Sequence, residues 1–209
     1  MSDYSLSFDG KDGDMIRVDA DVSMAFPEQC KFKVSESLYP DHCAHFADRE
    51  QSNGSPLIDR LFDLGFVNDV LVSNDTLTIS LKSGSWENHV PRVGTVVHEI
   101  LTGEDPAISD EVTNSLPQSE EVRERVTKVL DEMINPAIAS HGGFVTLLDV
   151  SNNTVFLEFS GGCHGCGMAN VTLKYGVERA IRENVPGVGE ILDTTDHASG
   201  RNPFYAPSA

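Results

Sequence analysis

The apolar residues of this chain recur at helical spacing in three places, with β-rich runs between them. Leu57, Ile58, Leu61, Phe62 and Leu64 fall on one helical face. Ser55-Pro56 reads as N-cap and first helical residue, and Gly65 as the closing glycine. Phe66 to Val72 and Thr76 to Leu81 are β-rich and joined by Ser73-Asn74-Asp75, a hairpin signal. A second helix is predicted from about Val90 to Leu101, with Pro91 in its first turn and Gly103 at its end. Val93, Val96, Val97, Ile100 and Leu101 form its stripe. Upstream, Ile16 to Val18 and Lys31 to Val34 are short strand candidates. Residues 1–14 are polar and acidic and read as a disordered head, while residues 35–53 carry too weak a pattern to predict any element.

Residues 104–118 hold two prolines, four acidic residues and little periodicity, which predicts a linker. Beyond it Ser119 reads as an N-cap, and Glu120 and Glu121 suit the positive end of a helix dipole. Val122, Val126, Val129, Leu130 and Met133 recur at helical spacing, and Pro136 is expected to stop the run. Two β-type runs follow, Phe144 to Val150 and Thr154 to Phe159, turning at Ser151-Asn152-Asn153. A glycine-rich loop, a helix from about Met168 to Asn184 and a strand from Val188 to Asp193 complete the order. The fold class is therefore α+β: two small α+β domains joined by an acidic, proline-containing linker. Their expected extents are 15–103 and 119–209.

The chain has 209 residues and a net charge of −18. Residues 1–117 carry 8 Lys/Arg against 21 Asp/Glu (net −13), and residues 118–209 carry 7 against 12 (net −5). Such a surface repels a phosphate backbone, which argues against nucleic acid as a partner. There is no apolar run long enough to cross a membrane and no secretory or transit signature at Met1 to Asp14, so a cytoplasmic protein is expected. Four cysteines at irregular spacing do not make a disulfide scaffold, and reduced thiols are the expectation. No serine-histidine-aspartate order, phosphate-binding glycine loop or carboxylate pair in a recognisable cleft is present; the chain reads as a non-enzyme.

The chemistry concentrates in Gly161-Gly162-Cys163-His164-Gly165-Cys166-Gly167, at a predicted strand-to-helix junction. Unpaired N–H groups at a helix start stabilise anions and lower a cysteine pKa, favouring the thiolate that binds iron or zinc. The glycines permit left-handed turns and leave room for a bulky inorganic core. A tetrahedral zinc site or a cubane cluster needs four ligands, and Cys163 and Cys166 supply two. Cys30 and Cys43 lie in the other domain, so a second copy of the loop in a second molecule is the economical source of the remainder. On spacing alone, a zinc-bridged dimer and a dithiol–disulfide oxidoreductase stay open beside an iron–sulfur site.

Four motifs, in order, carry a resemblance: Ile134-Asn135-Pro136, His141-Gly142-Gly143, the cysteine loop itself, and Val171-Thr172-Leu173-Lys174-Tyr175-Gly176-Val177-Glu178. Together they resemble the C-terminal domain of NifU and the Nfu iron–sulfur scaffold/carrier proteins, over nearly all of residues 119–209. Thr195-Asp196-His197 to Asn202-Pro203-Phe204-Tyr205 looks like the tail of bacterial Nfu proteins. Ser55-Pro56-Leu57, Arg60-Leu61-Phe62 and the hairpin leading to Trp86-Glu87 are similar to the Nfu N-terminal domain. The resemblance implies a carrier holding one [4Fe–4S] cluster per homodimer through Cys163 and Cys166 of each copy. It further implies upstream iron–sulfur assembly proteins that load it and apo iron–sulfur enzymes that receive the cluster.

Other residues invite weaker readings. Asp41-His42-Cys43-Ala44-His45, with Cys30, has ligand-type side chains but reads as a polar loop with incidental histidines. His164 and His141 read as loop and turn residues, and Trp86 as a core anchor. Lys174 and Arg179 are candidates to offset a cluster's negative charge, or members of a solvated helix face.

Overall fold

A computed structural model describes residues 3–11, 13–140, 142–161 and 167–194. The chain divides into two compact units, Met1–Leu116 and Pro117–Ala209. Both combine helices with a sheet, the α+β class expected from the periodicity.

Unit 1 is built on a six-stranded antiparallel sheet in the order β1-β2-β3-β6-β5-β4. Its strands are β1 (Asp3–Asp9), β2 (Met15–Val22), β3 (Gln29–Val34), β4 (Tyr39–Phe46), β5 (Val67–Asn74) and β6 (Thr76–Leu81). Alternation puts Ile16, Val18 and Ala20 of β2, Cys30, Phe32 and Val34 of β3, and Leu77, Ile79 and Leu81 of β6 into one core. The apolar stripes of α1 (Pro56–Asp63) and α2 (Val90–Leu101) belong to the same core, through Leu57, Ile58 and Leu61 and through Val90, Val93, Val97 and Ile100. Gly65 adopts φ 84° after α1 and Asn74 φ 52° in the β5–β6 turn, where the chain was expected to turn.

Three expectations for this unit are corrected. The acidic head is not loose: residues 3–9 form β1, paired with β2 from Asp3↔Asp21 to Asp9↔Met15. Tyr4, Leu6 and Phe8 of β1 pack on the core and Phe8 stacks on His98 of α2, so three apolar residues at alternate positions hold an otherwise polar strand. Residues 35–53 are not featureless. They include β4, whose pattern is obscured by a register shift between Tyr39 and Cys43, with Asp41 at φ 58°. Residues 104–118 are not simply a linker: α3 (Asp110–Ser115) is capped by Ser109, and Ile108 and Val112 are buried in the unit 1 core. Ile108, Val112 and Leu116 stand four residues apart, a stripe too short to register as a period between two prolines.

Unit 2 has a three-stranded sheet, β7 (Gly143–Ser151), β8 (Thr154–Gly161) and β9 (Ile191–Asp193), with β8 central, antiparallel to β7 and parallel to β9. Its core joins Val122, Val126 and Val129 of α4 (Ser119–Val129), Val145 and Val150 of β7, Val155, Leu157 and Phe159 of β8, and Val177 and Ile181 of α6 (Gly167–Asn184). Pro136 does not stop the first helix. The chain passes through a π-type turn, Leu130–Ile134, into α5 (Asn135–Ala139), with Pro136 in that helix's first turn, where a missing N–H costs nothing. The N-cap position falls on Gln118, one residue before the Ser119 expected there. Among the described residues no helix is long and apolar enough to cross a membrane.

Candidate functional site

Cys163, His164 and Cys166 lie outside the described residues, as do His141 and residues 195–209. The elements on either side of the cysteine motif are defined. β8 ends at Gly161 and α6 starts at Gly167, so five residues connect a central strand to the first turn of an eighteen-residue helix. The first N–H groups of such a helix have no partner within it. Two thiols set among glycines are donors of the soft type that zinc and iron–sulfur cores take, and they number two where such a group takes four.

The strand end is held firmly. Gly143 pairs with Gly161 and Phe144 with Ser160, and Ser160 Oγ donates to the Phe144 carbonyl at 3.3 Å. One residue further on, Asn135 clamps β7: its Nδ2 donates to the Val145 carbonyl at 3.0 Å, and its Oδ1 accepts from the Val145 N–H at 2.8 Å. Asn135 is buried. It ties the α4–α5 rod to the strand that borders the end of β8. The sequence reading used Asn135 only as part of a motif; the available signal was an amide side chain beside apolar Ile134, in a stretch otherwise patterned for burial.

On α6, Lys174 forms an ion pair with Asp193 of β9, and its ammonium lies 5.8 Å from the Phe159 ring centroid. Arg179 pairs with Glu183 at 2.8 Å. Both cations offered as charge compensation for a cluster are thus engaged on their own unit. Between them, burial pushes the Glu178 carboxyl up from its ordinary range; Arg182 and Lys174 pull it down, and Glu190 and Asp193 push it up.

The upstream residues do not assemble. Cys30 is buried in the unit 1 core, where burial and then the nearby Asp21 carboxylate push its thiol up to about 12. Cys43 is also buried and in no disulfide. His42 is exposed, with Nδ1 2.6 Å from the Pro40 carbonyl and its ring stacked on Tyr39. His45 Nε2 lies 3.4 Å from Asp69 Oδ1. Burial would raise the Asp69 carboxyl, but His45, Asn68 and Ser80 hold it below the usual carboxylate range. Among the described residues no three His, Cys, Asp or Glu side chains stand close enough to hold a metal ion. Trp86 is a core residue, edge-on to Phe32 and donating its indole N–H to the Glu28 carbonyl at 3.0 Å.

Comparison with known proteins decides the family. Residues 126–192 match the NifU-like domain, and residues 25–104 match the domain described as scaffold protein Nfu/NifU N terminal. The chain belongs to the Nfu family. The NifU-like match lies within unit 2 and the Nfu N-terminal match within unit 1, beginning after β2. Curated relatives named Fe/S biogenesis protein NfuA include one from Xanthomonas euvesicatoria pv. vesicatoria (strain 85-10), 48% identical over 105 residues. That match covers 50% of this chain and 51% of the relative. One from Xylella fastidiosa (strain M12) is 51% identical over 92 residues, 44% of this chain and 46% of the relative. One from Pseudomonas savastanoi pv. phaseolicola (strain 1448A / Race 6) is 47% identical over 88 residues, 40% and 45%. The chain spans about half the length of the curated relatives it matches.

Proposed function

We propose that this protein is an iron–sulfur cluster carrier or scaffold whose cargo is a [4Fe–4S] cluster, held by Cys163 and Cys166 of two copies and handed to apo iron–sulfur proteins. The observation that carries the reading is a lone C-x-x-C among four glycines inside a NifU-like domain. Relatives named for Fe/S biogenesis support the same direction. A cubane takes four thiolates and each chain offers two in this motif, so a homodimer through the loop completes the set.

Transfer then proceeds by thiolate exchange. A recipient cysteine loses its proton and bonds to one iron while a carrier cysteine leaves that iron and takes up a proton. Four such exchanges move the cargo with no change in its oxidation state. Attachment through two short loops at a subunit seam keeps each iron–thiolate bond accessible to the incoming ligand. Loading from upstream assembly proteins is the same exchange in reverse, and the setting for both is the cytoplasm. The protein acts as a carrier, with no catalytic residues assigned.

Elemental analysis of protein purified without oxygen tests this. Iron and sulfide at about four each per dimer is the expected result, the composition of one cubane. Tightly held zinc in colourless protein would indicate a zinc-bridged dimer instead. A metal-free protein cycling a Cys163–Cys166 disulfide would indicate a dithiol oxidoreductase.

A further inference from the structure

In unit 1, where acidic residues outnumber basic ones by 21 to 8 over residues 1–117, several cations sit on carboxylates. Lys33 pairs with Asp75, Arg49 with Asp59 and Asp63, and Arg60 with Glu99. Among the described residues Lys82 and Arg92 form no such pair, and both are held beside Phe66. Arg92 Cζ lies 5.0 Å from the Phe66 ring centroid, and His89 stacks on the ring with centroids 3.8 Å apart. Lys82 donates its backbone N–H to the Phe66 carbonyl at 2.8 Å, and its ammonium lies 3.4 Å from the Gly65 carbonyl oxygen. Lys82 and Arg92 are exposed, and Phe66 and His89 are half-buried.

This is also where α2 begins, and the local charge runs against the helix's own preference. A helix start favours acidic side chains and a capping oxygen. The first turn of α2 has no acidic residue, its N-cap His89 makes no side-chain cap, and Arg92 stands near the positive end of the dipole. His89 Nδ1 is enclosed, with no hydrogen-bond partner among the described residues. The Arg92 guanidinium, held over the Phe66 ring, is a planar fork of N–H donors of the kind that takes a carboxylate. Arg92 at the Phe66 ring and Lys82 at the Gly65 carbonyl give this surface two exposed cations that form no ion pair among the described residues.

We propose that Phe66, Lys82, His89 and Arg92 form a docking surface for a short acidic segment of a partner protein. The net charge of −18 opposes any long polyanion, and the two local cations can offset only a few carboxylates, which limits the occupant to a short acidic segment. The proposal goes beyond cluster transfer and does not involve Cys163 or Cys166. The test uses the full chain, isotopically labelled, titrated at low salt with acetylated hexaglutamate and separately with inorganic phosphate. The peptide is expected to shift the Arg92 Nε–H, the His89 ring and the Val90 amide. The Lys82→Gln/Arg92→Gln variant is expected to bind it at least tenfold more weakly, with unchanged thermal unfolding, while Lys31→Gln binds normally. Peptide shifts absent from these residues, or binding undiminished in the double variant, would overturn the proposal. So would inorganic phosphate producing the same shifts at the same concentration.

Discussion

Asn135 and Val145 exchange two hydrogen bonds, 3.0 and 2.8 Å long, that join the first helical rod of unit 2 to its edge strand. Among the described residues β7 has a strand neighbour on one side only, and Asn135 takes the place of a second strand at Val145. Replacing Asn135 with alanine leaves a buried N–H and C=O without partners, at about 1–3 kcal/mol each. The Asn135→Ala variant should therefore lose about 2–6 kcal/mol of stability in denaturant titration. Because β7 borders the last residues of β8, its cluster occupancy should fall more steeply on warming than that of the parent.

Glu178 should make unit 2 less stable as pH rises. Burial raises its folded carboxyl above the ordinary glutamate value near 4.5, so the folded chain holds this proton more tightly than the unfolded chain does. The resulting destabilisation is absent well below pH 4.5, grows as pH climbs through the raised folded value, and is complete above it. Glu178→Gln should accordingly melt at a higher temperature than the parent at pH 7, and the difference should close as pH falls below 4.5. Thermal unfolding across that range checks the sign.

The four cysteines should differ in reactivity. Cys30 and Cys43 are buried away from reagents, and burial pushes the Cys30 thiol up to about 12, so Cys30 keeps its proton at neutral pH. Native apo-protein treated with iodoacetamide should be alkylated at Cys163 and Cys166, and at all four cysteines once unfolded, as read by mass spectrometry. Cys30→Ser should leave cluster content unchanged while lowering stability, because a hydroxyl replaces a buried thiol in a packed core.

Gly176 lies inside α6, and a Cβ added there would meet nothing within 4 Å. Glycine in a helix interior is less favourable than alanine by roughly 0.5–1 kcal/mol. Gly176→Ala should thus stabilise unit 2 by about that amount in chemical denaturation.

How far these features could be read from the sequence depended on how many residues carried each signal. The stripe Leu57-Ile58-Leu61 and the stripe Val93-Val96-Val97-Ile100 each bury several residues on one face, so the helices and their glycine ends were legible. β1 was not, because Tyr4, Leu6 and Phe8 alternate with Ser and Asp residues in an acidic run. α3 was not, because Val112 is its one buried residue and only Ile108 and Leu116 flank it at helical spacing. Pro136 misled for a different reason: a π-type turn ahead of it removes the hydrogen bond that a proline would break. At the candidate site, the strand, the five-residue connection and the helix were legible from the glycines and cysteines. The Asn135–Val145 clamp pairs a side chain with a backbone ten residues away, a relationship that no local pattern encodes.

In the proposed carrier, two cysteines per chain are half a site, completed by a second copy. Sedimentation of anaerobically reconstituted protein, with iron and sulfide measured on the same sample, tests it most directly. The account predicts about four irons per dimer, with both colour and iron lost in Cys163→Ser and in Cys166→Ser while the fold persists. A fully loaded monomer, or iron retained after both substitutions, would contradict it.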